Sequence, residues 1–189
     1  VEIKDILVVV DVQNDFVTGV LGSSDAEQVV PAIVKRVQQY KEANKDIFMT
    51  IDTHDEDYLN TQEGRFLPIA HCVSGTSGKA LVPDLNNCIG EYPNVHKVYK
   101  EVYGSDLLVL DVAEHFGLKV FTEQQRDIAQ YSVEIIGLDT DCCVMANAIT
   151  LRTMLPCLDI WVNKDCCAGT TPEKHNMALE LMNQYQIRS

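Results

Sequence analysis

The chain has 189 residues, 46% of them hydrophobic, enough for one sizeable core and little more. Its formal net charge of −13 argues against nonspecific binding to nucleic acid or to an anionic membrane surface. No apolar run is long enough to span a bilayer, and the first residues do not read as a secretory signal. Seven irregularly spaced cysteines without a C-x-x-C pair fit neither a disulfide framework nor a thiolate zinc cluster, so reduced thiols in a cytoplasmic protein are expected.

The segment "DILVVVDV" (Asp5–Val12) is a continuous β-branched run ending in aspartate, the pattern of a strand buried on both faces. From Asp25 to Ala43, apolar residues at Val29, Val30, Ile33, Val34, Val37 and Tyr40 follow helical spacing. A second strand, Asp46–Asp52, again ends in aspartate. The stretch from Asp55 to Asn94 is polar, rich in Gly and Pro, and long for a connection; such loops are functional or disordered. Val95–Lys100 reads as a short third strand and Asp106–Phe116 as a helix stopped by Gly117. Phe121 to Gln130 is more polar than expected ahead of a central strand. Tyr131–Leu138 is a fourth strand, Cys143–Met154 a helix and Leu158–Lys164 a fifth strand. Thr170–Tyr185 opens with a capping threonine and a first-turn proline, as a terminal helix does. Strands alternating with helices predict an α/β fold: one three-layer domain over residues 1–189, with a mostly parallel sheet flanked by helices.

Ligands of open parallel sheets bind beyond the carboxyl ends of the strands. Asp11, Asp52, Lys100 and the run from Asp139 to Cys143 all fall at such ends. Cys142 and Cys143 both lie near a helix start, where the dipole lowers a thiol pKa. Asp11 could take the thiol proton, and Lys100 could hold the charges of carboxylate and thiolate together. The bland alternative is a packed core cysteine, with Asp11 as a helix cap and Lys100 on the surface. "DTH" (Asp52–His54) and "EGRFLPIAH" (Glu63–His71) offer N and O ligands suited to a divalent metal, or simply a polar loop.

Five segments together resemble the isochorismatase-like cysteine hydrolases, and within them the nicotinamidases, over nearly the whole chain. They are "VVVDVQNDFVTG", "TIDTHDEDY" with "EGRFLPIAHCVSGTSG", "KEVYGS", "GLDTDCCVMANAI" and "DCCAGTTPEKHNMAL". The resemblance implies Asp11, Lys100 and Cys143 as the catalytic set. The family nucleophile precedes a valine and follows a threonine by three, so Thr140 and Val144 put it at Cys143, with Cys142 in a variable slot. Lys100 is favoured over Lys97 because Tyr103, Gly104 and Ser105 follow it in the family order.

The resemblance further implies an oxyanion hole from the backbone N–H groups of Asp139 and Cys143, with a cis peptide at Leu138–Asp139. Phe16 and Tyr103 would contact substrate. Asp52, His54 and His71 would be metal ligands, with Glu63 as an acidic fourth, for a divalent ion such as zinc, manganese or iron. The implied reaction is hydrolysis of nicotinamide to nicotinate and ammonia in NAD salvage. The implied assembly is a homo-oligomer, with no nucleic-acid or membrane partner. A metal-free amidase acting on another small amide is the alternative on the same fold. A redox or ligand-binding module is a different class, disfavoured because no Gly-rich phosphate loop follows the first strand. Two residues depart from the family pattern: Asp139 replaces a small apolar residue, and Asn147 stands where Thr is common.

Overall fold

A computed structural model describes residues 4–120 and 130–189. Five parallel strands form the central sheet: β1 (Lys4–Val10), β2 (Ile47–Asp52), β3 (Val95–Lys100), β4 (Tyr131–Leu138) and β5 (Asp159–Ala168), in the order β3-β2-β1-β4-β5. The predicted strands are all present. The fifth runs four residues further than expected, to Ala168, across a register shift in its pairing with β4. The polar stretch noted before the fourth strand, Phe121 to Gln130, lies outside the described residues except for Gln130.

The apolar run of β1 is explained by its central position. Ile6, Val8 and Val10 pack into one core, with Leu108, Val112, Leu151 and Leu179, and Leu7 and Val9 pack into the other, with Ile33, Val37 and Leu85. Alternate side chains of a strand point to opposite faces, so a strand covered on both sides has no polar positions. The helices supply the covering layers. α1 (Asn14–Val17) is a single turn. α2 (Ser24–Glu42) is capped by Ser23, whose Oγ accepts the Ala26 N–H at 3.1 Å, and it buries Ala26, Val30, Ile33, Val37 and Tyr40. α3 (Gln62–Phe66) and α4 (Pro83–Ile89) occur where only a polar loop was expected, with a 3-10 turn at Tyr58–Asn60. α5 (Asp106–Phe116) ends on Gly117 in the left-handed conformation as predicted. The helix expected from Cys143 divides into a π turn, Thr140–Val144, and α6 (Met145–Met154). α7 (Pro172–Gln184) begins at the Thr171 cap.

The stretch from residue 55 to 94 is ordered by named contacts rather than by a core of its own. His54 N–H donates to Cys72 O at 3.0 Å, and Ser74 N–H donates to His54 O at 2.8 Å. The Cys72 N–H is taken by Asp15 Oδ2 at 2.8 Å, and the Tyr58 hydroxyl donates to Leu67 O at 2.9 Å. These bonds fold the long connection back over the carboxyl ends of β1 and β2.

Candidate active site

The strand order brings Asp11, after β1, Asp52, ending β2, Lys100, ending β3, and Asp139, after β4, to one edge of the sheet. The chain's direction across the sheet reverses beside β1, so the crevice there is the expected ligand position. Gly137 makes this closeness possible: at φ 123°, an added Cβ would sit 2.2 Å from Val10 O. Asp11 itself has φ 49°, a left-handed conformation that Asp tolerates better than most residues. The Leu138–Asp139 peptide is cis, as the resemblance implied.

Asp11, Lys100 and Cys143 meet. Lys100 Nζ lies 2.6 Å from Asp11 Oδ2, 3.0 Å from Asp52 Oδ1 and 3.6 Å from Cys143 Sγ. Asp11 is close enough to the thiol to act on its ionisation. All three side chains are buried. Thr50, a buried hydroxyl in β2, donates to Asp11 Oδ1 at 2.6 Å and orients it. Lys97, the alternative lysine, is on an exposed position of β3.

Burial dominates the electrostatics. It pushes the Cys143 thiol well above its ordinary pKa, reinforced by Asp11, and the Lys100 ammonium does not offset it. The depressed thiol pKa expected from a helix start is therefore not found. The enclosed thiolate loses more from desolvation than the turn's dipole and one cation return. Burial likewise raises Asp11 against the pull of Lys100. Burial works against the Lys100 charge, but Asp11, Cys143 and Asp52 hold its pKa above the ordinary lysine value. The resting arrangement is a neutral thiol beside a lysine cation held between two carboxylates.

Asp52 reaches the second group with its other oxygen. Burial alone would raise its pKa, yet the His54 and His71 rings close by, with Lys100, bring it well below the usual carboxylate range. Asp52 Oδ2 stands 3.0 Å from His54 Nε2 and 3.4 Å from His71 Nε2. One ligand atom from each of Asp52, His54 and His71 lies within 4.8 Å of the others, all buried. Asp52 Oδ2 and His54 Nε2 find no geometrically sound hydrogen-bond partner among the described residues. Buried orphan lone pairs aimed at a common point fit a cation. His71 Nδ1 pairs with Ile69 O at 2.8 Å, which leaves Nε2 as the free ligand atom. Glu63 Oε1 is 3.9 Å from His71 Nε2, at the margin of this group rather than in its three-residue centre.

Both groups open on one cavity of about 390 Å³ whose lining includes Phe16, Glu63, Tyr103, Asp139 and Cys143. The Phe16 ring meets His71 edge-on at 5.5 Å. Tyr103 and the exposed Phe66 stand at the rim. Cys142, in the variable slot, also lines the cavity and is less buried than Cys143. The carbonyl of Asp139 accepts the N–H groups of Cys142 at 3.0 Å and Val144 at 3.1 Å, the donors on either side of the one a regular α-turn would use. The Cys143 N–H is thereby released from the partner a regular helix would give it.

Two residues were given no positioning role from sequence. Gln13, fully buried, accepts the Asp52 N–H and donates to Asp52 O, both at 2.8 Å, fixing the backbone that carries the metal-type cluster. Asn147 accepts the Ser105 N–H at 3.1 Å and donates to Tyr103 O at 3.1 Å and Cys143 O at 2.8 Å. It ties the segment after Lys100 to the turn bearing Cys143. The signal for Gln13 was an amide just after a buried strand; for Asn147 it was a departure whose new contacts only coordinates reveal.

Comparison with known proteins agrees with this geometry. The chain is 26% identical over 205 residues to the nicotinamidase of Schizosaccharomyces pombe, covering 92% of this chain and 87% of that protein. The structure superposes on a nicotinamidase from Bacillus subtilis with TM-score 0.81 and 25% identity, covering 98% of both chains. It superposes on a pyrazinamidase of Pyrococcus horikoshii in complex with zinc with TM-score 0.76 and 26% identity, covering 98% of this chain and 97% of that one. The family model of the isochorismatase domain matches residues 5–188, and the chain belongs to that family.

Proposed function

We propose that the protein is a nicotinamidase, hydrolysing nicotinamide to nicotinate and ammonia through a cysteine thioester, a step of NAD salvage. The observation that carries this reading is the meeting of Asp11, Lys100 and Cys143 at a cavity shared with the Asp52, His54 and His71 cluster. The coarser assignment, a hydrolase acting on a carboxamide C–N bond, rests on family membership and on the nicotinamidases the chain resembles.

Asp11 accepts the Cys143 proton as the sulfur attacks the carboxamide carbon. Lys100 stays charged throughout and stabilises whichever of the two groups is anionic. The carbonyl oxygen becomes an oxyanion held by the N–H groups of Cys143 and Asp139. When the C–N bond breaks, Asp11 returns the proton to the departing ammonia. A water molecule, deprotonated by Asp11, then attacks the thioester and releases nicotinate, and the proton goes back to the Cys143 thiolate. Asp52, His54 and His71, with Glu63 as a further acidic neighbour, would hold a divalent ion. When bound, that ion supplies a Lewis-acidic contact that orients the pyridine ring. Zinc is the first candidate, given the zinc-bound relative, and manganese or iron suit the same N/O donors. Phe16 and Tyr103 supply the aromatic walls.

Asp139 favours a second reading, an amidase of the same family acting on another small amide, because a carboxylate lines the cavity beside the nucleophile. The deciding experiment is ammonia and nicotinate release from nicotinamide by purified protein, with Cys143→Ala as the blank. Turnover confined to other amides would replace the first reading with the second.

A further inference from the structure

The π turn that carries Cys143 is irregular, and nothing within Thr140–Val144 explains why it does not relax into the regular helix that follows. Its partners are 29 to 35 residues away in sequence. Fully buried Thr140 pairs its Oγ1 with His175 Nδ1 at 2.8 Å. Asp141 accepts the Thr170 N–H at 2.7 Å and the Thr170 hydroxyl at 2.6 Å. His175 is itself anchored in the first turn of α7, its N–H donating to Thr171 O at 2.9 Å. Gly169 allows the two segments to touch: an added Cβ would meet Asp141 Oδ1 at 2.7 Å and His175 Cβ at 2.9 Å. Burial holds the His175 pKa below its ordinary value, so the ring is neutral near pH 7 and Nδ1 can accept the Thr140 hydroxyl proton.

We propose that His175 is a positioning residue: through Thr140 it holds the turn in the conformation that directs the Cys143 N–H into the cavity as an oxyanion donor. The proposal deepens the hydrolase reading and rests on it. The chain of causes is short. The bond from α7 fixes the first residue of the turn. The fixed turn bonds the Asp139 carbonyl to Cys142 and Val144 instead of Cys143. The Cys143 N–H is then available where negative charge develops. Preorganised donors of this kind act in the transition state and little in substrate binding.

The test separates the donor from the nucleophile. His175→Ala should lower kcat for nicotinamide about 10- to 100-fold while KM changes less than about threefold, as expected for a misplaced transition-state contact. His175→Asn, which can place an amide atom near the Nδ1 position, should recover most of the loss. Thr140→Val should match His175→Ala, and the double variant should be no worse than either single one, because both remove the same bond. Two probes read Cys143 without turnover. Pyridine-3-carbaldehyde adds to the thiolate as a tetrahedral thiohemiacetal whose oxygen occupies the oxyanion site, so its affinity should fall in parallel with kcat. Iodoacetamide displaces iodide directly and makes no oxyanion, so its rate should stay within about twofold.

Full kcat in His175→Ala, loss of alkylation in parallel with kcat, multiplying losses in the double variant, or no aldehyde binding by the unaltered protein would each overturn the proposal. If the unaltered protein releases no ammonia from nicotinamide but shows the aldehyde and alkylation pattern, the nicotinamidase reading fails while the positioning role stands.

Discussion

Lys100 Nζ lies 2.6 Å from Asp11 Oδ2, with both side chains buried, and the same ammonium reaches Cys143 Sγ at 3.6 Å. A buried cation between a carboxylate and a thiol makes the two acids exchange one proton at little electrostatic cost. Asp11→Asn and Lys100→Ala should therefore each abolish most ammonia release, and the double variant should be scarcely worse than either. They should differ in thiol chemistry. Lys100→Ala should slow Cys143 alkylation at neutral pH, because the thiolate loses its only close cation among the described residues. Losses that multiply as independent effects would separate the pair.

Cys143→Ala should end turnover, while Cys142→Ala should retain most of it. Of the two, Cys143 is the one bonded to Lys100; burial, Asp141 and Asp139 push the Cys142 thiol up to about 11 against the weaker pull of Lys174. Steady-state rates of the two purified variants decide the register, and an active Cys143→Ala would reverse it.

His54→Ala and His71→Ala should each lose bound divalent metal by elemental analysis. Each should also raise KM for nicotinamide by about tenfold or more, since a ligand lost from a three-residue cluster disturbs the site that orients the ring. Glu63→Gln should retain more metal than either histidine variant, in keeping with its marginal 3.9 Å position. Protein stripped of metal by a chelator and still fully active would remove the metal from the proposed reaction.

Asp139 makes stability depend on pH. Burial, then Asp141 and Asp11, push its carboxyl up to about 7 from an ordinary 3.8. The folded state therefore keeps a proton that the unfolded chain releases between those values. That contribution is complete below the unfolded pKa and is lost as pH rises through about 7. Asp139→Asn cannot ionise, so its thermal midpoint should gain on the unaltered protein from pH 4 upward and level off above pH 7. A gap between the two midpoints that does not change with pH would show that the carboxylate stays solvated.

The strands were legible because their cause is local. A run such as Ile6 to Val10 has no polar position, and only a strand covered on both faces tolerates that. Asp11, Asp52 and Lys100 were legible as strand-end residues for the same reason, and a family resemblance chose Cys143 over Cys142. Other features depend on contacts between residues far apart in sequence, which no local pattern encodes. The thiol pKa was expected to fall and rises instead, because enclosure by the rest of the fold outweighs the turn that carries it. The short helices between residues 55 and 94 carry only brief local signals, the Thr61 cap of α3 and Pro83 opening α4, while the placement of that stretch over the sheet follows from bonds to Asp15 and His54. Gln13 holding Asp52, Asn147 joining two catalytic segments and His175 reaching Thr140 are side-chain bonds spanning 35 to 42 residues, visible only when the chain has closed on itself. Periodicity records which face of an element is buried; it carries no information about which polar atom waits on the other side.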